Sequence, residues 1–144
     1  MYGRKSLTTR INSGPGVLRG KENKMYKMVD SNIGKWWFDK YMANSRRALD
    51  YALYNGRGEL QGYAVMGENK NTPIGKSTYL YLIGANPLAR GKGFGTQILK
   101  RLIKDAKERH VRYIFLEPTT ESVRIWYRKY GFRDVNPEVM ALEL

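Results

Sequence analysis

The order of apolar and polar positions predicts most of the chain's elements. Tyr79-Leu80-Tyr81-Leu82-Ile83 is an unbroken apolar and aromatic run within a strand predicted over residues 77–85. Gly84, Asn86 and Pro87 interrupt it, and Arg90-Gly91-Lys92-Gly93-Phe94-Gly95 follows. From Gly93 the period becomes helical. Phe94, Ile98, Leu99, Leu102, Ile103 and Ala106 form one stripe, with Lys100, Arg101, Lys104 and Lys107 mostly opposite. Residues 112–116 read as a short apolar strand. A strand, a helix and a strand of these lengths suit a right-handed crossover between parallel neighbours.

Upstream, residues 25–29 read as a first strand, with Asp30 or Ser31 placed to cap a helix. In that helix Ile33, Trp36, Trp37, Tyr41 and Met42 recur at spacings of three and four, one broad apolar face. Both tryptophans read as core. Residues 51–54 and 60–67 read as two strands joined by Asn55-Gly56-Arg57-Gly58, where Asn-Gly favours the positive φ angles of a hairpin turn. Residues 68–76 read as a loop. Downstream, Thr120 caps a helix running to Tyr130, Gly131 stops it, and residues 132–135 and 138–144 form a terminal pair of strands. Strands and helices mixed in this order predict an α/β fold around a partly parallel sheet.

Composition narrows the chemistry. A chain of 144 residues with 42% hydrophobic positions suits one domain. No long apolar run or signal peptide is evident, so no membrane is expected, the cytoplasm is the default compartment and the nucleus is left open. There is no cysteine, which removes disulfides, thiolate metal sites and Cys nucleophiles. The lone His110 argues against a histidine metal site or a Ser-His-Asp triad and reads as a solvated residue near a helix C-terminus. No metal is expected.

A net charge of +13, from 26 basic and 13 acidic residues, makes a nucleic acid or other polyanion a candidate partner, weighed equally against a solubility role. Residues 1–24 hold Arg4, Lys5, Arg10, Arg19, Lys21 and Lys24 against Glu22 alone. They read as an irregular basic segment, either a flexible arm or an electrostatic contact, with residues 7–11 open as a short edge strand. Residues 25–144 read as the single domain.

A strand, a glycine-rich turn and a helix make a ready site for phosphate. Glycine lets the backbone approach, and the first N–H groups of the helix are unpaired and carry partial positive charge. Gly91, Gly93 and Gly95 give G-x-G-x-G, one residue short of the dinucleotide fingerprint, and no acidic residue ends a second strand about 20 positions on. Gly75-Lys76-Ser77 lacks the first glycine of a Walker loop, because position 70 is Lys.

The stretch does resemble motif A of the GNAT superfamily of N-acetyltransferases, Arg/Gln-x-x-Gly-x-Gly/Ala, filled by Arg90, Gly93 and Gly95. Residues 83–90 resemble the usual lead-in. Residues 120–132 resemble motif B, Asn-x-x-Ala-x-x-x-Tyr-x-x-x-Gly-Phe: Tyr127, Gly131 and Phe132 match, while Thr120 replaces Asn and Val123 replaces Ala. The likeness is clear over residues 60–144.

The resemblance implies a mixed, partly parallel sheet flanked by helices, with splayed central strands. It implies transfer of an acetyl group from acetyl-CoA, as cosubstrate, to an amine by direct attack. Backbone N–H groups from Lys92 through Gly93, Phe94 and Gly95 to Thr96 would hold the pyrophosphate, with Gly91 in the same turn and charge from Arg90 and Lys92. Gly84 and Ala85, after Ile83, stand where the family's strand bulge belongs, which would free strand backbone for the pantetheine arm. An N–H near Ala85 would polarise the thioester carbonyl.

Tyr127 is the implied general acid. Glu117, ending the strand of residues 112–116, is the candidate base, and the helix after the first strand lines the acceptor groove. The acceptor stays open among a protein N-terminus, a lysine, an aminoacyl-tRNA and a small amine, with polycations disfavoured by the net charge. The runners-up are a longer acyl-CoA and a basic nucleic-acid-binding module on the same scaffold. A homodimer is left open.

Overall fold

The computed structural model describes residues 8–29, 32–43, 47–89 and 91–144. Arg90, Asp30 and Ser31 lie outside the described residues, as do Arg4, Lys5 and the first position of the candidate edge strand, Leu7.

The chain runs β1 (Arg10–Gly14), α1 (Glu22–Tyr26), α2 (Asn32–Ala43), β2 (Arg47–Tyr54), β3 (Leu60–Gly67), β4 (Lys70–Thr72) and β5 (Gly75–Ala85). A 3₁₀ turn at Pro87–Ala89 leads to α3 (Phe94–Glu108), β6 (Tyr113–Leu116), α4 (Glu121–Arg128), β7 (Arg133–Asp134) and β8 (Met140–Glu143). The sheet order is β1-β2-β3-β5-β6-β8-β7, with β4 folded back on β5. Among the described residues only β5 and β6 pair in parallel, and the other strand pairs are antiparallel. The expected α/β fold with a mixed, partly parallel sheet is therefore present.

Each face of the sheet has its own core. On one side α3 lays Ile98, Leu99, Leu102 and Ala106 against Leu80, Ile114 and Leu116, joined by Tyr127 and Phe132. This is the predicted stripe, and it closes because a 15-residue amphipathic helix spans several strands. Thr120 caps α4 by accepting the Val123 N–H, and Arg124 and Arg128 both reach Asp134, tying that helix to the terminal hairpin. On the other side a smaller cluster gathers Leu18, Met25, Phe38, Tyr63 and Val65 beneath α1 and α2.

Five expectations fail, each for a local reason. Residues 68–76 are not all loop: Lys70–Thr72 forms β4, which pairs back on a β5 that already begins at Gly75. Residues 25–29 are not a strand. Glu22–Tyr26 is a short helix that buries only Met25, and the first strand is instead β1, upstream of residue 25, paired along an edge with β2. In α2 the buried residues are Gly34 and Phe38, at i and i+4. Ile33 and Trp36 fall on the other side and stand 57% and 56% exposed, so Trp36 is not core. The turn after β2 uses Gly58, at φ 76°, as its left-handed residue, while the Asn55 side chain accepts the N–H groups of Arg57 and Glu59. The bulge in β5 is not at Gly84-Ala85. Val65 pairs with Leu82 and Met66 with Leu80, which leaves Tyr81 as the extra residue.

Candidate active site

The two parallel strands share only four positions. Ser77 to Leu80 pair with Tyr113 to Leu116, and there β6 ends while β5 continues to Ala85. The last five residues of β5 have β3 on one side and a cleft of about 480 Å³ on the other. That is the splay the resemblance implied. The Asn86 N–H bonds to the Gln61 carbonyl at 2.8 Å on the β3 side. Alternation along the strand then turns the N–H and C=O of Ile83 and Ala85 toward the cleft. Gly84 serves packing: a Cβ there would come within 2.5 Å of the Tyr63 ring.

The mouth of the cleft is the start of α3. Gly93 is its N-cap in the left-handed conformation, φ 74°, with no side-chain cap and no acidic residue in the first turn. The first intrahelical bond is Gln97 N–H to the Gly93 carbonyl, so Phe94, Gly95 and Thr96 present N–H groups that have no helical partner. The Lys92 N–H is not part of this set, because it bonds to the Ala89 carbonyl at 3.2 Å. Gly91 and Gly93 have open space where a Cβ would stand, and the Lys92 side chain is exposed. Phe94 turns into the core, leaving its backbone to the site. The Thr96 hydroxyl is already matched with the Tyr130 hydroxyl at 2.8 Å. A capless helix start and a bare glycine turn fit a diphosphate.

Tyr127 forms part of the inner wall. α4 carries it into the core, 4% exposed, with its ring against Phe132 and Trp126, yet it also lines the cleft. Burial pushes its phenol above the usual tyrosine value near 10, so it stays protonated. Glu117 lines the opposite lip, one residue beyond β6. Its carboxylate faces the Tyr79 phenol, whose pKa is raised by burial first and by Glu117 next. The pKa of Tyr41 is raised in the same order. Ile83, Gly84, Ala85, Gly95, Tyr127 and Glu117 thus converge on one cleft.

Sequence reasoning missed Trp126, Tyr81 and the tyrosines around Glu117. Trp126 closes the cleft beside Gly95 and stands edge-on to Tyr130. Tyr79 and Tyr81, two apart on a strand, were the signal that one face of β5 is aromatic rather than simply buried. His110 is exposed just past α3, as expected. Among the described residues no cluster of His, Cys, Asp and Glu is placed to hold a metal ion, and no helix is long and apolar enough to cross a membrane.

Solved structures share this architecture. A GNAT family acetyltransferase from Brucella melitensis, in complex with acetyl-CoA, superimposes with a TM-score of 0.70 at 14% identity, over 95% of this chain and 88% of that one. A GNAT family acetyltransferase from Elizabethkingia anophelis with acetyl-CoA bound gives 0.71 at 17% identity, over 94% and 98%. The ribosomal-protein-S18-alanine N-acetyltransferase of Escherichia coli gives 0.73 at 16% identity, over 94% of each chain. At these identities the likeness is one of fold. No curated protein matches the chain. The model of the acetyltransferase (GNAT) family matches residues 21–132, from α1 through the Tyr127-Gly131-Phe132 motif, and the chain belongs to that family.

Proposed function

We propose that the protein transfers the acetyl group of acetyl-CoA to a primary amine by direct attack. The observation that carries this reading is the cleft itself. It has an uncapped helix start at its mouth, strand backbone along its side, and a buried protonated phenol at its inner wall. The N–H groups of Phe94, Gly95 and Thr96 receive the pyrophosphate, with charge from Lys92 and Arg90. Ile83 and Ala85 pair with the pantetheine amides.

The Ala85 N–H meets the thioester oxygen as charge grows there, a role whose loss typically costs about 3–4 kcal/mol of barrier. The acceptor arrives as an ammonium. At a pKa near 10.4 it costs roughly 4–5 kcal/mol to deprotonate at pH 7, and Glu117 accepts that proton directly or through one water. The amine forms the new C–N bond, the C–S bond breaks, and the departing sulfur takes a proton from Tyr127. The second proton shed by nitrogen restores the phenol, and Glu117 releases its own to solvent.

Thermal melting tests the cosubstrate. Acetyl-CoA at about 100 times its dissociation constant should add roughly 2.7 kcal/mol of stability, and Gly93→Asp should remove the shift by filling the open space where the phosphate approaches and adding like charge. No shift with acetyl-CoA or any other acyl-CoA sinks the reading. A folded Gly93→Asp variant that binds normally moves the phosphate site elsewhere. The value of kcat/KM should climb with pH through the neutral range as the acceptor loses its proton. Tyr127 should impose no descending limb below pH 10, because its pKa is raised.

A further inference from the structure

Among the aromatic rings outside both hydrophobic cores, three lie on adjacent strands of the sheet. Tyr79, Tyr113 and Phe115 are half-buried, yet they pack into neither cluster. Their strand neighbours Leu80, Ile114 and Leu116 point into the core under α3, so alternation places all three on the opposite, α2 face. The parallel register sets Tyr79 beside Phe115. Tyr113 and Phe115 stack at 5.9 Å, Tyr79 lies 5.2 Å from Tyr81, and Tyr41 of α2 stacks on Tyr81 at 4.4 Å. The result is a floor of rings running from α2 across β5 to β6.

Two features give that floor a direction. At its inner end it meets the cleft, whose lining includes Tyr81 and Glu117, and the Glu117 carboxylate faces the phenols of Tyr79 and Tyr41. At its outer end the Arg112 guanidinium lies over the Tyr113 ring at 5.6 Å and pairs with Glu143. A ligand along the floor therefore meets a negative charge beside the reacting centre, apolar ring faces in the middle, and the Arg112–Glu143 ion pair at the far end. A cation at the inner end is matched by Glu117, whereas a second would meet an already paired carboxylate at the outer end within a protein of net charge +13.

We propose that this floor is the acceptor subsite and that the acceptor is a primary monoamine on a flat, apolar frame. Its ammonium rests against Glu117 and its frame lies on Tyr79, Tyr81 and Phe115. The assignment rests on the acetyl-transfer reading above.

The test uses the full chain, acetyl-CoA and a thiol-release assay with phenethylamine, butylamine and spermidine as acceptors. Phenethylamine should exceed both others by at least about tenfold in kcat/KM, the scale on which a matched apolar pocket discriminates. Phe115→Ala and Tyr79→Leu should each raise the KM for phenethylamine by about tenfold while keeping the acetyl-CoA melting shift. Phe115→Leu, which keeps most of the volume and removes the ring, should do the same. Calorimetric titration of phenethylamine into CoA-saturated protein gives a second readout, and the same substitutions should weaken it. Butylamine or spermidine matching phenethylamine overturns the proposal, as does an unchanged KM in the folded variants. If wild-type protein shows no acetyl-CoA shift, the acetyl-transfer reading falls and this one with it. An intact shift with the acceptor order reversed overturns the subsite alone.

Discussion

The two faces of the sheet are built differently. Among the described residues, the face under α3 and α4 is a continuous core of seventeen buried residues and the other a smaller cluster of eight. On the first, helix periodicity and strand alternation agree, and every large side chain of the predicted stripe meets the sheet. On the second, a five-residue helix and α2 leave aromatic rings half-covered and Trp36 in solvent. The first face also carries the parts proposed to hold the cosubstrate, the start of α3 and the Tyr127 phenol. The second carries Glu117 and the ring floor. Tight packing would hold the proposed reacting groups in place, and an incompletely covered face would leave room for an acceptor. Under the proposed assignment, stability and choice of acceptor reside on opposite sides of one sheet, and substitutions should separate them.

The largest effect belongs to the hydroxyl of Tyr127. Tyr127→Phe removes one buried oxygen, keeps the ring against Phe132 and Trp126, and should slow turnover about 10²–10⁴-fold with acetyl-CoA affinity little changed. Unchanged turnover, measured where chemistry limits the rate, would reduce Tyr127 to a packing residue. The same phenol also links stability to pH. Its pKa is raised in the folded protein, so its contribution is complete below pH 10 and is lost as pH rises through the folded value. Melts of the wild type should therefore decline in alkali more steeply than those of Tyr127→Phe; parallel declines would deny the linkage.

Next comes the core beneath α3. Leu102 is 1% exposed among Ile98, Leu99 and the strand residues. Leu102→Ala should destabilise the fold by about 2–5 kcal/mol, read as a lower denaturant midpoint at constant slope, and leave the ranking of acceptors unchanged. A changed acceptor ranking in the folded variant would show that the two faces are coupled.

The same division explains what was legible in the sequence. The α3 stripe, β5, β6, the Thr120 cap and the Gly131 stop could be read because each is a local rule that tertiary packing obeyed. The left-handed glycine at the start of α3 and the place of Tyr127 on the cleft wall could be read because a turn into a helix and a fixed helical register leave few alternatives. What failed lies largely on the other face. Met25 occupies one buried site in a short helix, where a strand run would have needed alternate burial. In α2, Gly34 and Phe38 won the core over Ile33 and Trp36, and an aromatic count does not reveal that choice because rings pack as readily on one another as on a core. The bulge at Tyr81 depends on the β3 register, which no stretch of β5 records by itself.

The smallest effect should come from Trp36, and it sharpens the comparison within a single helix. Trp36 and Phe38 are two residues apart in α2, so they point in different directions. Phe38 is 4% exposed, and removing its ring should cost about 3–5 kcal/mol. Trp36 is the larger side chain, yet it is 56% exposed and touches Trp37 only edge-on, at 4.7 Å. Lys40 lies over its ring at 5.1 Å, an exposed contact worth roughly 0.5–1 kcal/mol at most, and Lys40 keeps Trp37 at 4.9 Å when Trp36 is gone. Trp36→Ala should therefore shift stability by less than about 1 kcal/mol, within the range of ordinary surface changes plus one weak ring contact. A loss comparable to that of Phe38→Ala would mean that something outside the described residues packs on Trp36. The α2 face would then be as closed as the α3 face, and the contrast between them would fail.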